Sequence, residues 1–142
     1  MKHDENCIFC KIVRGTASAT KVFEDDHSLA FMDINPSHEG HTLVISKQHF
    51  ANVLEIETAT LAAVMASVQR LARSINAALA PDGIRIGQFN GAAAGQSVFH
   101  YHVHIVPIRA GQSRSIHGRG AGNPNEIQAA ADRIRQALLN QK

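Results

Sequence analysis

Three histidines alternate with bulky residues in one short segment of the chain: His100, His102 and His104 are separated by Tyr101 and Val103. In a β-strand, side chains at positions i, i+2 and i+4 point to the same face. The spacing therefore predicts that the three imidazoles line one surface. Because imidazole titrates close to neutral pH, it can act there as a base, an acid, a nucleophile or a metal ligand. This strand is the predicted location of an active site.

A loop of small residues comes directly before these histidines. Residues 90–97 read Asn-Gly-Ala-Ala-Ala-Gly-Gln-Ser, so amide and hydroxyl side chains lie next to flexible backbone. Backbone N–H groups in loops of this kind can approach an anion closely. A solvated edge strand could carry three histidines without any function, but the loop beside them favours a site for an anionic substrate.

The elements that must position the histidines can be read from the hydrophobic pattern. Residues 58–80 carry apolar side chains at the i, i+3, i+4 spacing of one buried helix face, and Pro81 ends that helix. A C-terminal helix begins after Asn123, an N-cap residue followed by Pro124. The remaining predicted elements are a helical turn at 9–14 and strands at 20–24, 28–32, 41–46, 84–90 and 98–108. Short strands interrupted by one long helix predict an α+β domain with an antiparallel sheet.

The overall composition is that of a single domain spanning 1–142. The formal net charge is only +2, which argues against general nucleic-acid binding. No apolar run approaches the length of a membrane span, and the polar start of the chain lacks the apolar core of a signal peptide. We therefore expect a cytoplasmic protein with no membrane partner and no specific nucleic-acid partner.

Two cysteines, Cys7 and Cys10, have the spacing of half a zinc site. In a reducing compartment this spacing indicates metal or redox chemistry rather than a structural disulfide. A redox pair is the weaker interpretation because no thioredoxin-like βαβ pattern surrounds the cysteines. Two buried, reduced and metal-free cysteines remain the simplest alternative.

The triad resembles the signature of the histidine triad (HIT) family, His-φ-His-φ-His-φ-φ with φ hydrophobic, over residues 100–106. Its bacterial Hint-like branch, which carries a Cys-x-x-Cys zinc motif, is similar in several further segments. These are Gly-Gln-Ser-Val at 95–98, Asp-Ile-Asn-Pro at 33–36, Gly-His-Thr-Leu-Val-Ile at 40–45 and Cys-Ile-Phe-Cys-Lys-Ile at 7–12. The resemblance covers a core at 5–109, followed by a C-terminal loop and helix at 110–142.

The resemblance implies a HIT-like fold: an antiparallel sheet of about five strands, one long central helix and a C-terminal helix. It also implies a homodimer in which two sheets join across a two-fold axis. The implied substrate is a purine nucleotide, without a choice between adenine and guanine.

The resemblance assigns the catalytic roles. His102 is the implied nucleophile, His104 lies at the phosphate, Ser97 contacts the leaving group, and His41 lies behind the catalytic histidine. Nucleophilic attack by imidazole on phosphorus converts one difficult displacement into two easier ones. A structural role remains open for two of these residues, since Ser97 could cap a turn and His41 could be a hydrogen-bonded core residue.

The substrate-binding residues follow from the same resemblance. Asp33 and Ile34, with Phe31 nearby, form the implied nucleoside site, because a carboxylate can accept both hydrogens of a ribose diol. Asn90 and Gln96 are placed at the phosphate or its backbone cradle. Alternatively, Asp33 begins a turn and Asn90 holds the loop geometry.

His49 and His100 complete the implied set of metal ligands, because their positions match zinc ligands in the bacterial proteins that this sequence resembles. With Cys7 and Cys10 they form a closed Cys₂His₂ set, which is typical of structural zinc. A rival hypothesis places a catalytic zinc on the alternating histidines themselves.

The predicted function is hydrolysis of purine nucleoside 5′-phosphoramidates, or related nucleotidyl conjugates, through a nucleotidyl-histidine intermediate. Dinucleoside polyphosphate hydrolysis is the nearest alternative, and a nucleotide-binding module without useful turnover is a further one. The Gly- and Ser-rich segment 110–122 is interpreted as a solvated connector. A cationic lid built from Arg114, His117 and Arg119 is the competing hypothesis for this segment.

Overall fold

The computed structural model describes residues 2–118 and 120–141. It contains a five-stranded sheet in the order β1-β2-β3-β5-β4, with every neighbouring pair antiparallel. The elements are α1 (Ile8–Arg14), β1 (Lys21–Glu24), β2 (Ser28–Met32), β3 (Thr42–Ser46), α2 (Thr58–Leu79), β4 (Gly83–Gly87), a 3-10 helix (Ala92–Ala94), β5 (His102–Ile108) and α3 (Pro124–Asn140). The predicted α+β architecture, with its long helix and its C-terminal helix, is confirmed.

The sheet separates two apolar layers. On one face, α2 packs against β2, β3 and β5, α3 packs against β1, and the two helices pack against each other around a core that includes Val44, Val103 and Ile105. On the other face, α1 covers a smaller cluster that includes Phe9 and Phe31. Side chains alternate between the two faces of a strand. Val103 and Ile105 of β5 point into the larger core, so His102 and His104 face the α1 side.

The helix ends agree with their sequence signals. The Asn123 side chain accepts hydrogen bonds from the N–H groups of Asn125 and Glu126, as expected for an N-cap residue with Pro124 in the first turn. Helix α2 ends one residue before Ala80, which adopts the left-handed conformation with φ of 45°. No helix in the described part of the chain is long and apolar enough to cross a membrane.

Two predicted strands are shorter than expected. The strand predicted at 98–108 begins only at His102, because the chain bends before it and the Tyr101 N–H donates instead to the Phe50 carbonyl, at 2.7 Å. The strand predicted at 84–90 ends at Gly87, where its pairing with β5 stops. The bend matters for function because it turns His100 away from the strand and toward the N-terminal segment.

Candidate active site and metal centre

The central strand β5 places His102 and His104 on the α1 face of the sheet. They pair in register with Ile45 and Leu43 of β3, so they lie in the middle of the sheet rather than at an edge. Both side chains border a cavity of about 460 Å³. The predicted site residues that line this cavity are Phe31, Asp33, Ile34, Ser97, His102 and His104.

The tautomer of His102 is fixed by the backbone. Its Nδ1 lies 2.6 Å from the carbonyl oxygen of His100. A carbonyl oxygen can only accept a hydrogen bond, so Nδ1 carries the proton and donates it. Burial lowers the pKa of His102 below the usual imidazole value, which favours the neutral ring. The other nitrogen, Nε2, is therefore left with a free lone pair.

A second chain of hydrogen bonds fixes the tautomers of His41 and His104. The backbone N–H of Ser37 donates to Nδ1 of His41 at 3.0 Å, so a neutral His41 carries its proton on Nε2. That nitrogen lies 2.9 Å from Nδ1 of His104 and donates to it. Neutral His104 must then carry its own proton on Nε2. The result is one imidazole with a lone pair, His102, beside one with an N–H donor, His104.

Both residues of the His41–His104 pair are held neutral. Burial lowers the pKa of His41 to about 4 and that of His104 to about 3. Unfolding restores the ordinary pKa near 6.5, so below that pH the unfolded chain binds more protons than the folded one. The free energy of unfolding is therefore expected to be at its full value above pH 6.5. It should fall on acidification toward pH 4, by up to about 1.4 kcal/mol per pH unit for each histidine.

Urea denaturation between pH 7.5 and 4.5 measures this loss. The variant His104→Gln removes one of the buried titrations and is expected to show a shallower dependence on pH than the wild type. The matched control is His27→Gln, since His27 is exposed. Identical slopes for the wild type and His104→Gln would contradict the assignment of the pH dependence to this pair.

Asp33 closes the turn expected as its structural role and also lines the cavity. Its Oδ1 accepts the Asn35 N–H at 2.8 Å, which closes the expected turn. Its Oδ2 lies 3.5 Å from Nε2 of His41, and its side chain is 16% exposed and lines the cavity. Burial raises the pKa of this carboxyl above its ordinary value. Ile34 is exposed at the cavity mouth, whereas Phe31 is buried in the wall.

The side chains of Gln96 and Asn90 are engaged with protein partners. Gln96 is buried, accepts the Gly91 N–H at 2.8 Å and donates to the Ala51 carbonyl at 2.6 Å. The Asn90 side-chain oxygen accepts the Val53 N–H at 2.9 Å. These bonds hold the loop before the triad in place, which favours a supporting role for both amides.

The four predicted metal ligands come together at the end of β5. Cys7 Sγ and Cys10 Sγ lie 3.4 Å and 3.6 Å from Nδ1 of His100. Nδ1 of His49 lies 3.4 Å from Cys10 Sγ and 3.3 Å from Nδ1 of His100. Zinc–sulfur and zinc–nitrogen bonds of ordinary length give tetrahedral edges of roughly 3.3 to 3.8 Å. These four distances therefore match edges of one zinc tetrahedron, and all four donor atoms lie within 4.8 Å of one another.

The surroundings of this cluster also match a metal centre. Nε2 of His100 donates to the Ser46 carbonyl at 2.6 Å, which leaves Nδ1 as the ligand atom. A metal-bound histidine usually donates its second N–H to such an acceptor. Burial lowers the pKa of His100 to about 4, so its ring is neutral. Both cysteines are free thiols rather than a disulfide.

A second group of potential ligands consists of Asp33, His41 and His104. Its hydrogen-bond surroundings do not match those of a metal centre. A metal on Nε2 of His41 would require its Nδ1 to donate, yet Nδ1 accepts the Ser37 N–H. The hydrogen-bond pattern therefore favours the Ser37–His41–His104 chain of hydrogen bonds over a catalytic metal here. His102 belongs to neither group found among the described residues.

Two features of the site lie outside the sequence-based prediction. Ser37 donates its backbone N–H to His41, a bond that any residue except proline could make, and its hydroxyl lies 3.3 Å from the same Nδ1. Phe9 of α1 packs edge-on against the rings of His100 and His102, with centroids 5.8 Å and 5.2 Å apart. Phe9 lies within the Cys-x-x-Cys segment, but its packing against both histidines cannot be read from that segment. The contact depends on the folded position of α1.

Comparison with known proteins identifies the class of this fold and site. The HIT domain matches residues 14–111. A HIT-like protein of Bartonella henselae, involved in cell-cycle regulation, superposes with a TM-score of 0.87 at 39% identity, over 96% of this chain and 99% of that one. A zinc-bound histidine triad family protein of Mycobacterium smegmatis gives 0.85 at 38% identity, over 95% and 94%.

A relative with a named activity is an adenylylsulfatase of Arabidopsis thaliana. It is 40% identical over 102 residues, which cover 72% of this chain and 52% of that protein. The chain thus belongs to the histidine triad (HIT) family, as its motifs predict. This family includes nucleotide-binding proteins and hydrolases.

Proposed function

We propose that this protein hydrolyses purine nucleoside 5′-phosphoramidates, or related nucleotidyl conjugates, through a nucleotidyl intermediate on His102. The observation that carries the proposal is the pair of opposite tautomers at the cavity. Nε2 of His102 has a free lone pair for phosphorus, and Nε2 of His104 has a proton for a phosphoryl oxygen. A binding site alone has no need for an unprotonated, buried nucleophile.

The first step is attack by Nε2 of His102 on phosphorus. The new N–P bond forms as the bond to the leaving group breaks, and the leaving atom keeps the electron pair. For an amine leaving group, the Ser97 hydroxyl, which lines the cavity, would pass a proton to that nitrogen. The N–H of His104 stabilises the charge that develops on the phosphoryl oxygens.

The second step is hydrolysis of the intermediate. A water oxygen attacks phosphorus, the N–P bond breaks, and the electron pair returns to Nε2 of His102. The proton that the water loses restores the Ser97 hydroxyl when an amine has left, or passes to solvent when an oxyanion has left, and the nucleoside monophosphate leaves. The His100 carbonyl holds the ring in one orientation through both steps because it accepts the Nδ1 proton throughout.

The nucleoside is proposed to lie against Asp33, Ile34 and Phe31. Replacing Asp33 with alanine is expected to raise KM for a ribonucleotide substrate about 10-fold or more, because a carboxylate–diol hydrogen bond is lost. With the matching 2′-deoxynucleotide, which lacks one hydroxyl of the diol, the KM of the same variant should be almost equal to that of the wild type. A loss of equal size on both substrates would instead assign Asp33 to the turn and to His41.

The Cys₂His₂ cluster is proposed to hold a structural zinc. The matching edge lengths and the donation from His100 to Ser46 support this, and the zinc-bound mycobacterial relative supports it further. Bound there, zinc would tie the segment before α1 to the bend that precedes β5. It supplies no step of the reaction.

A homodimer joined through β4 is proposed for the assembly. Strand β4 is an edge of the sheet and is paired on one side only, with β5. Its Ile86 is 49% exposed, which is unusual for an apolar side chain on an unprotected edge. Antiparallel pairing of β4 with its copy would extend the sheet through both subunits. The mass of the native particle in solution tests this arrangement.

The function is tested by incubating the purified protein with adenosine 5′-phosphoramidate and measuring AMP release. Release at many turnovers per subunit supports the enzyme. Tight AMP binding without release would favour the binding module. Release only from diadenosine polyphosphates would favour the alternative leaving group with the same first step.

A further inference from the structure

Residues 116–118 form a strap across the mouth of the active-site cavity. At one side, the buried side chain of Ile116 packs on Gly87 so closely that a Cβ on that glycine would overlap it. At the other side, Gly118 lies against the backbone carbonyl of Asn35, where a Cβ would also overlap. The strap therefore packs closely against both the end of β4 and the wall of the cavity where the nucleoside is proposed to bind.

Between these two anchors, the strap places His117 over the cavity. Its ring stacks on Phe89 with centroids 5.0 Å apart and an interplanar angle of 29°. Its centroid is 6.4 Å from that of His104. A Cβ on Gly95 would come within 3.2 Å of the His117 ring. His117 thus lies at the end of the cavity made by His104 and the loop that carries Ser97.

The hypothesis that Arg114, His117 and Arg119 form a cationic lid can be compared with the positions of those that the structure describes. Arg114 is exposed and borders a different surface cavity, together with Asp82 and Gly83. Arg119 lies outside the described residues. Of the two members that the structure describes, His117 is the one that lines the cavity. The segment 110–122 is also more than a solvated connector, because Ile116 is buried and the Gly122 N–H donates to the Ile34 carbonyl at 2.9 Å.

We propose that His117 contacts the leaving group and favours nucleotides that release an oxyanion, such as a sulfate or a phosphate. The proposal rests on the function proposed above. With the nucleoside against Asp33 and phosphorus between His102 and His104, the leaving group extends toward the loop of Gly95 and Ser97, where His117 lies. An ammonia leaving group is too small to fill this end of the cavity. A tetrahedral oxyanion is large enough to accept an N–H from the His117 ring.

The role of His117 is confined to the first step. When the P–O bond of a nucleotidyl sulfate breaks, the electron pair stays on the sulfate oxygen, which leaves without a proton. An N–H donor beside that oxygen stabilises the developing charge. Once sulfate has left, the same nucleotidyl-His102 intermediate remains whatever the leaving group was. Water then hydrolyses it without help from His117.

The test compares two substrates that share the nucleotide and differ in the leaving group: adenylyl sulfate and adenosine 5′-phosphoramidate. For adenylyl sulfate, His117→Ala is expected to lower kcat/KM by about 10- to 100-fold, the usual effect of losing a hydrogen bond to a charged group. For the phosphoramidate the loss should be several-fold smaller. The variant His117→Gln keeps an N–H donor and should recover part of the lost activity toward adenylyl sulfate.

Arg114→Ala is the matched control, since it removes a cation from the same segment outside the cavity, and it should leave both rates unchanged. Inhibition by AMP reports on the nucleoside and phosphate sites and should be similar in the wild type and His117→Ala. Equal losses of kcat/KM on both substrates would overturn the proposal. So would a weakening of AMP inhibition that is as large as the loss in rate. Either result would leave His117 a structural part of the strap. No turnover of either substrate by the wild type would instead count against the proposed function.

Discussion

Replacement of His102 by alanine is expected to abolish turnover of adenosine 5′-phosphoramidate, with kcat reduced by about 10³-fold or more. The reason is specific to this ring. Its Nδ1 proton is held by the His100 carbonyl and its pKa is lowered by burial, so Nε2 is a neutral nucleophile at pH 7. His104, the neighbouring triad histidine on β5, offers no equivalent atom, since its Nε2 carries a proton.

The measurement is AMP release by the wild type and by His102→Ala at equal folded concentration. The matched control is His27→Ala, which removes an exposed imidazole from the turn before β2. A denaturing quench followed by intact-mass analysis adds a direct readout. The wild-type chain should carry a nucleotidyl adduct that the His102→Ala chain lacks. A folded His102→Ala protein that retains more than a tenth of the rate would refute the nucleophile assignment.

The fold and the membership of the site were largely accessible from the sequence. The period-2 spacing of the triad predicted one face, and His102 and His104 do share the α1 face of β5. The apolar stripe of 58–80 predicted α2 to within one residue of its end. These predictions worked because hydrophobic periodicity reports directly on burial, and burial determines where each element lies.

What the sequence could not supply was the direction of the hydrogen bonds. The tautomer of His41 depends on the Ser37 N–H, which any residue except proline would provide. The bend before β5 likewise depends on the Phe50 carbonyl, which lies far away along the chain. The strap over the cavity requires a close approach of Gly118 to Asn35, a contact that no local pattern encodes. Each of these features is a tertiary contact of the backbone.

The bend before β5 also joins the Cys₂His₂ cluster to the proposed active site. His100 contributes Nδ1 to the cluster, Nε2 to the Ser46 carbonyl and its own carbonyl oxygen to His102. A zinc ion that fixes the position of His100 would therefore support the orientation of the nucleophile. The support would act through the backbone, with the ion on the far side of His100 from the reacting phosphorus.

Removal of zinc is accordingly expected to reduce stability much more than catalysis. A ligand present at 1,000 times its Kd stabilises the folded state by about 4 kcal/mol. For a chain of this size, that corresponds to a decrease in Tm of roughly 10 °C on chelation. Thermal unfolding of the protein with and without a chelator measures the loss. The variant Cys10→Ser should unfold at a similarly reduced temperature and should respond little to the chelator.

The two metal hypotheses predict different kinetics in the same experiment. At a temperature where the chelated protein remains folded, a structural zinc predicts that kcat for adenosine 5′-phosphoramidate falls by only a few-fold. A catalytic zinc predicts complete loss of turnover that added zinc restores, without a change in the fraction of folded protein. The surroundings of His41 favour the first outcome, because its Nδ1 accepts a backbone N–H where a metal ligand would donate. Complete and reversible loss in a folded chain would overturn both the structural role of zinc and the hydrogen-bond assignment at His41.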